Sequence, residues 1–164
     1  MEVLWAPWRM TYILAPKQGE TCIFCAALDN DPRERLLLGT TAASLVVLNR
    51  YPYQNGHLMV APRRHTASLS ELPAAEHGDL AETLRRTVDS LATVLHPDGF
   101  NLGMNLGRTA GAGIADHLHW HIVPRWTGDT NFMPAIADTK VMPQHLLDTY
   151  DTLRPHFAWL TAQR

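Results

Sequence analysis

Three histidines stand at every second position of the stretch HLHWHIV: His117, His119 and His121. Side chains alternate between the two faces of a strand, so these imidazoles are predicted to share one face, while the apolar residues between them pack on the core. An imidazole has a pKa near neutrality and serves as a nucleophile, an acid or a base. The pattern therefore predicts a surface that carries out chemistry.

The spacing of these histidines limits how they could bind a metal ion. Neighbouring positions on one strand face lie roughly 7 Å apart at Cα, and the outer two lie roughly 13 Å apart. A zinc ion, with bonds of ~2 Å, is shared by two neighbours but hardly by all three. We therefore expect at least one imidazole to be left for other work. The alternative is an exposed strand face that carries polar residues without a function.

The loop GRTAGAGIAD, at residues 107–116, leads into the histidines. Gly107, Gly111 and Gly113 allow backbone N–H groups to approach an anionic phosphate closely. Most glycine-rich loops only form turns, so the loop by itself is weak evidence. Beside a row of imidazoles it favours phosphoryl or nucleotidyl transfer.

Helices are predicted in three places along the chain. A short one is expected at Cys22 to Leu28, and a long one at about Pro73 to His96, where leucine and valine recur at helical spacing. The tail from Gln144 to Leu160 has a weaker helical pattern, which Pro155 interrupts.

Strands are predicted around the long helix. Leu102, Met104 and Leu106 alternate with asparagine and glycine, as in a half-buried strand. Runs of branched and apolar residues predict further strands at 36–41, 44–49 and 57–61. Strands gathered around one long helix, without β-α-β alternation, predict an α+β fold with a mainly antiparallel sheet.

Length and charge exclude several classes of protein. The 164 residues fit one domain, and a hydrophobic fraction of 46% is typical of a globular chain. A net charge of −2 argues against broad binding to nucleic acid or to membrane surfaces. The longest apolar runs fall far short of the ~20 residues that span a bilayer. The start, MEVLWAPWRM, is unlike a signal peptide, so we expect a cytoplasmic protein.

The histidine stretch resembles the His-x-His-x-His-x-x motif of the histidine triad (HIT) superfamily. Asn49, the run GHLMVAPRRH from Gly56, Asn105 and the glycine loop occur in the family's order, so the likeness extends from Cys22 to Arg125. The resemblance implies a single HIT domain over 1–164, with a core at about 22–126, an N-terminal arm at 1–21 and a C-terminal extension at 127–164. It also implies a homodimer that forms through the long helix and its neighbouring strand.

The arms resemble those of a narrower bacterial branch, the dinucleoside polyphosphate phosphorylases. The matching stretches are LWAPWR at Leu4 to Arg9, GDTNFMP at Gly128 to Pro134, and TKVMP at Thr139 to Pro143. The implied substrate is an adenine dinucleotide such as diadenosine tetraphosphate.

The resemblance implies a role for each histidine. His119 would be the nucleophile that attacks the α-phosphorus, giving a nucleotidyl-histidine intermediate. His121 and His57 would flank the phosphate and assist the movement of charge and protons. His117 would support the hydrogen bonding of the triad.

The same resemblance assigns the nucleotide-binding positions. Asn49 would hold the ribose hydroxyls, while Asn105, Gly111 and Gly113 would contact phosphate. Many relatives carry a serine, threonine or glutamine just before the triad, where this chain has Gly-Ile-Ala from Gly113. Backbone amides or Thr109 would have to replace that phosphate donor.

Cys22 and Cys25 form a Cys-x-x-Cys pair, a spacing that suits tetrahedral zinc but requires two more ligands. Some family members complete such a site with histidines that correspond to His65 and His117. That set uses only one triad histidine, so the zinc would be structural, with no cofactor required for catalysis. The alternative is a pair of buried, reduced cysteines that behave as small apolar residues.

Three functions from different classes follow from these motifs. The first is an enzyme that cleaves dinucleoside polyphosphates. Phosphate is the expected acceptor because the arms resemble the phosphorylase branch and supply Arg9 and Lys140 as candidate phosphate-binding residues. Water as acceptor would make it a hydrolase of dinucleoside polyphosphates or of adenosine phosphoramidates. The second is a nucleotide-binding regulator with little turnover, and the third is a metal scaffold without catalysis.

Overall fold

A computed structural model describes residues 22–129 and 142–161. The N-terminal arm with Arg9, most of the GDTNFMP and TKVMP stretches, and Lys140 therefore lie outside the described residues. In chain order the elements are α1 (Ile23–Asp29), β1 (Leu37–Thr40), β2 (Ser44–Leu48), β3 (Leu58–Pro62), α2 (Ala74–Leu95), β4 (Gly99–Met104), β5 (Trp120–Arg125) and α3 (Leu146–Leu153).

The five strands form one sheet in the order β1-β2-β3-β5-β4. Every pairing between neighbours is antiparallel. The long helix α2 connects β3 to β4, and no described connection forms a parallel β-α-β unit. The predicted α+β fold with an antiparallel sheet is confirmed.

Apolar residues on both faces of β2 and β3 explain why these strands are completely buried. Leu45 and Val47 point to one face, where they pack with Phe24 of α1; we call this group the α1-side cluster. Val46 and Leu48 point to the opposite face and pack with α2 and the C-terminal tail, the α2-side cluster. A sheet that is covered on both sides needs apolar residues on both faces of its strands, and β2 has them at every position except Ser44, whose hydroxyl donates to Asp79.

Helix α2 covers one face of the sheet, as its leucine spacing predicts. Leu80 and Leu91 on its inner side are buried. Pro73 precedes the first turn, and His96 ends the helix in a left-handed conformation with φ of 47°. Within residues 22–129 and 142–161, no helix has the length and apolar character needed to cross a membrane.

Strand β5 is shorter at its start than the histidine pattern predicts, because it begins at Trp120 rather than at His117. Its pairing with β3 covers only Trp120 to Ile122. Upstream, the Leu118 N–H donates instead to the Thr66 carbonyl, in the segment that follows β3. The first part of the triad is therefore held by a single backbone contact outside the regular ladder.

The edge strand β4 differs from its prediction in two respects: it begins at Gly99 and ends at Met104, before Leu106, and one of its leucines is exposed. Phe100 and Met104 pack against the α2-side cluster, as the alternation requires, but Leu102 between them is 48% exposed. Leu106, just beyond the strand, is also 48% exposed. Among the described strands β4 pairs only with β5, so an apolar edge remains uncovered.

The C-terminal tail returns to the other edge of the sheet. After α3 the chain forms a 3-10 turn that contains Pro155, where the sequence predicts an interruption. Thr161 then pairs with Thr40 of β1 through two backbone hydrogen bonds of 2.8 and 3.1 Å. Gly39 makes this approach possible, since a Cβ there would lie 2.6 Å from the Cβ of Leu160. The described part of the tail therefore covers the β1 edge.

Candidate active site and metal centre

The three triad histidines lie on the α1 side of the sheet. The Phe24 ring has its centroid 4.9 Å from that of His117 and 5.0 Å from that of His119. The His119 and His121 rings are 4.9 Å apart and nearly perpendicular. The intervening Leu118 belongs to the α2-side cluster, so the alternation of faces persists although the strand begins late.

The ring of His119 is held by the backbone of His117. Its Nδ1 lies 2.8 Å from the His117 carbonyl oxygen, which can only accept, so Nδ1 carries the proton. Burial lowers the pKa of His119, and the backbone hydrogen bond opposes this only in part. A neutral ring with the proton on Nδ1 leaves a lone pair on Nε2, which is the atom that can act as a nucleophile.

His57 and His121 form a directed hydrogen-bonded pair. The Tyr53 N–H donates to His57 Nδ1 at 3.0 Å, so a neutral His57 carries its proton on Nε2. That atom lies 3.0 Å from His121 Nδ1. His121 then accepts at Nδ1, and its own proton lies on Nε2. His57 has no exposed surface, so of this pair only His121 reaches the surface of the site.

Asn49 lies at the end of β2, beside the same pair. Its Oδ1 accepts from the Tyr51 N–H at 2.9 Å, and its Nδ2 lies 3.3 Å from His57 Nδ1. The side chain is therefore fixed by the loop that joins β2 to β3. Binding of ribose by Asn49 stays a prediction.

The glycine loop is tied to Asn105, as its place in the sequence suggests. Asn105 Nδ2 donates to the Gly111 carbonyl at 3.5 Å. Gly107 and Gly111 adopt φ of 78° and 91°, values that favour glycine. Ile114 of the loop packs on the α1-side cluster, and Gly113 beside it is half-buried. The loop thus packs against the same side of the sheet as the histidines.

The predicted zinc ligands Cys22, Cys25, His65 and His117 come together, with one donor atom from each lying within 4.8 Å of all the others. The His117 Nδ1 is 3.2 Å from Cys22 Sγ, 3.8 Å from Cys25 Sγ and 3.2 Å from His65 Nδ1. Tetrahedral zinc with bonds of ~2.0–2.3 Å separates its ligands by about 3.3–3.8 Å. The donor set and its spacing fit such an ion.

Hydrogen bonding also prepares His117 for this role. Its Nε2 lies 2.8 Å from the Pro62 carbonyl oxygen and so carries the proton, which leaves the Nδ1 lone pair facing the cysteines. Burial lowers the pKa of His117 to about 4, which keeps the ring neutral. Burial raises the pKa of Cys25 to about 11, an effect that a bound cation would reverse.

Sequence reasoning missed two aromatic residues that touch the histidines. Phe24 lies between the two cysteines and contacts both His117 and His119. Tyr53 stacks on His57 at 4.9 Å and is 41% exposed. The Cys-x-x-Cys pair could have indicated Phe24, because a residue between two candidate metal ligands must lie close to the site. For Tyr53 the sequence shows only a turn-rich loop.

The sequence is similar to those of enzymes that are named for nucleotide substrates. An AP-4-A phosphorylase of Mycobacterium tuberculosis is 37% identical over 166 residues, covering 96% of this chain and 85% of the relative. An adenosine 5'-monophosphoramidase of Schizosaccharomyces pombe is 31% identical over 105 residues, covering 64% of this chain and 74% of that protein.

A crystal structure of a zinc-bound histidine triad family protein from Mycobacterium smegmatis matches with a TM-score of 0.65. The identity is 25%, and the match covers 85% of this chain and 94% of that one. Residues 25–128 match the family described as HIT domain, which is more than half of the chain. The chain therefore belongs to the HIT domain family.

Proposed function

We propose that this protein is an enzyme that cleaves dinucleoside polyphosphates by nucleotidyl transfer to His119, with inorganic phosphate as the acceptor. The observation that carries the proposal is the hydrogen bond from His119 Nδ1 to the His117 carbonyl, which makes Nε2 the basic atom. Binding a nucleotide would not require a buried, neutral imidazole with its lone pair prepared in this way.

The first half of the reaction joins His119 to the substrate. His119 Nε2 attacks the α-phosphorus of diadenosine tetraphosphate, a P–N bond forms, and the P–O bond to the leaving ATP breaks. The Nε2–H of His121 stabilises the leaving oxygen by a hydrogen bond, so ATP departs as the anion without a proton transfer, and His57 holds His121 in the required tautomer. We expect the glycine loop to place other backbone N–H groups near the phosphoryl oxygens, because the Gly111 N–H already donates to the Arg108 carbonyl at 2.9 Å.

The second half releases the nucleotide. An oxygen of inorganic phosphate attacks the nucleotidyl-histidine, the P–N bond breaks, and ADP leaves. ADP carries away the proton of the attacking hydrogen phosphate, and His119 returns to its neutral starting state. Asn49 would hold the ribose and Asn105 the phosphate, since both are fixed beside the histidines.

Cys22, Cys25, His65 and His117 would hold a structural zinc ion, which would supply rigidity rather than reactivity. The ion would fix the His117 backbone, whose carbonyl orients His119. Support comes from the spacing of the donor atoms and from the zinc-bound relative of M. smegmatis. No step of the reaction uses the ion.

The proposal includes a homodimer and a cytoplasmic location. The uncovered edge of β4, with Leu102 and Leu106 each 48% exposed, supports pairing of two copies beside α2. Light scattering at micromolar concentration should give twice the chain mass of 18.4 kDa. Leu102→Glu should shift this measured mass toward that of the monomer. A monomeric wild type would contradict the dimer.

The test of function is turnover of diadenosine tetraphosphate with and without phosphate, followed by chromatography. ADP and ATP in amounts that rise with phosphate would support the phosphorylase. AMP formation independent of phosphate would indicate the hydrolase instead. Tight nucleotide binding without turnover would indicate a regulator.

A second candidate substrate is an adenosine phosphoramidate, which the S. pombe relative's name favours. Its P–N bond would be broken by the same attack of His119 Nε2. Comparing kcat/KM for adenosine 5'-phosphoramidate and for diadenosine tetraphosphate distinguishes the two, and a preference for the former would overturn the phosphorylase.

A further inference from the structure

We propose that helix α3, which lies beyond the matched HIT residues, positions the His57–His121 pair through the hydroxyl of Thr149. The family match ends at residue 128, whereas α3 spans Leu146–Leu153. Thr149 thus acts through the loop between β2 and β3, and it does not touch the histidines. The inference rests on the proposed function, because it concerns how the reacting groups are held.

The contact begins at a buried hydroxyl. Thr149 is 1% exposed, and its Oγ1 lies 2.9 Å from Asn55 Oδ1. The same oxygen lies 3.1 Å from Gln144 Oε1 and 3.1 Å from the His145 carbonyl. A hydroxyl has one proton to donate, and Asn55 offers the shortest distance. Asn55 in turn donates from Nδ2 to Gln144 Oε1 at 3.4 Å, so its amide is held at both ends.

Asn55 lies in the tight turn that ends at His57. The His57 N–H donates to the Gln54 carbonyl at 3.1 Å, so Asn55 and Gly56 are the central residues. Gly56 has φ of 74°, and a Cβ there would lie 2.4 Å from Leu95 Cδ1. The turn therefore sits directly on the end of α2 and has little freedom to shift without moving His57.

The other corner of the turn is also held from the C-terminal side. Gln54 Nε2 donates to the Asp129 carbonyl at 3.2 Å. Asp129 is itself fixed by Arg125, whose Nε and Nη2 lie 2.6 and 2.8 Å from its carboxylate oxygens. Both polar side chains of the turn thus bond to residues outside the family match. Two independent contacts on one turn favour a positioning role.

A shift of the turn would move the reacting groups through two residues, first His57 and then His121. His57 follows Gly56 directly, and its Nε2 lies 3.0 Å from His121 Nδ1. The Tyr53 N–H and ring hold the opposite side of His57. A hydrogen bond of this length is lost after a displacement of several tenths of an ångström. Releasing the turn would therefore leave His121 in a mixture of tautomers, which weakens the hydrogen bond from its Nε2–H to the leaving oxygen.

The test compares Thr149→Val with Thr87→Val. Thr87 is also completely buried and donates to a carbonyl four residues earlier in its helix, but it has no bond to the turn. We expect Thr149→Val to lower kcat for diadenosine tetraphosphate about tenfold with little change in KM, because misplaced groups slow the chemical step. Thr87→Val should lower the melting temperature by a similar amount but leave kcat unchanged. Thr149→Ser, which keeps the hydroxyl, should have a kcat close to that of the wild type.

A second readout does not depend on turnover. Long-range ¹H–¹⁵N NMR reports the tautomers of His57 and His121, and we expect Thr149→Val, but not Thr87→Val, to change those of His121. Gln54→Ala, which keeps Thr149, should produce a smaller change of the same kind if Thr149→Val fails to fold. Unchanged imidazole signals in both variants, or an equal loss of kcat in Thr87→Val, would overturn the proposal. If the wild type showed no turnover but the imidazole signals still changed in these variants, the proposed function alone would be wrong.

Discussion

The Nδ1 of His119 lies 2.8 Å from the carbonyl oxygen of His117, and this contact joins the two sites of the molecule. On one side His117 directs its own Nδ1 at the cysteines, with its Nε2 bound to the Pro62 carbonyl. On the other side the carbonyl of the same residue sets the tautomer of His119, the proposed nucleophile. The candidate metal centre and the proposed nucleophile therefore both depend on His117.

Replacing His119 should abolish turnover without unfolding the protein. We expect His119→Asn to lower kcat for diadenosine tetraphosphate on the order of 10⁴-fold or more, since no other group can form the covalent intermediate. His57→Ala should cost less, on the order of 10²–10⁴-fold, because His57 only supports His121. Steady-state kinetics and nucleotide titration measure both effects. Near-normal turnover by His119→Asn would rule out the mechanism.

Removing the metal should affect stability and turnover together. We expect the purified protein to contain zinc, and a strong chelator or Cys22→Ser to remove it and lower the melting temperature. The kcat should fall as well, because His117 orients His119. Metal analysis and thermal unfolding measure these changes, with the exposed His77→Ala as control. A chelator-treated protein with unchanged stability would contradict the metal site.

The ion pair between Arg33 and Asp151 predicts a pH effect on the C-terminal tail. Hydrogen bonding to Arg33 lowers the pKa of Asp151 below its ordinary value of 3.8. A lowered pKa gives stability that is present above that value and is lost as the pH falls through the folded pKa. Both side chains are about half exposed, so the effect is small.

Thermal unfolding of the wild type and of Asp151→Asn measures this contribution. The wild type should be slightly more stable near neutral pH. The difference should begin to fall as the pH drops through about 4, and it should vanish only below the lowered pKa of folded Asp151, where the carboxyl is protonated in both states. A difference that grows on acidification would show that the pair is not formed.

Much of the fold could be predicted because each element has a simple pattern. The leucines of α2 recur at helical spacing, and Pro73 and His96 lie at its predicted ends. The two histidines of the candidate zinc site could be predicted only from the family resemblance, since His65 and His117 are far from Cys22 and Cys25 in the chain. The pattern could not show that the tail covers β1, because the Thr161 contact depends on a long return path.

Other features depend on three-dimensional contacts that local patterns do not encode. Regular strand pairing does not extend to His117. Instead the Leu118 N–H donates to the Thr66 carbonyl, a contact that the alternation of side chains does not reveal. Leu102 alternates correctly but is exposed, because β4 is the last described strand of the sheet. Nothing in the sequence marks Thr149 as a neighbour of the loop that carries His57.

The last prediction concerns two glycines with opposite roles. Gly56→Ala should destabilise the protein, because φ of 74° is strained for alanine and its Cβ would lie 2.4 Å from Leu95 Cδ1. We expect a loss of about 1–3 kcal/mol in the free energy of unfolding. The kcat should fall more than stability alone explains, since the turn carries His57.

Gly78→Ala is the matched control. Gly78 lies in the exposed interior of α2 with no atom within 4 Å of an added Cβ, so alanine should stabilise the helix by about 0.5–1 kcal/mol. Denaturant unfolding gives both free energies, and turnover at low temperature separates activity from stability. If Gly56→Ala were as stable and active as the wild type, the turn would not hold His57 in the position described.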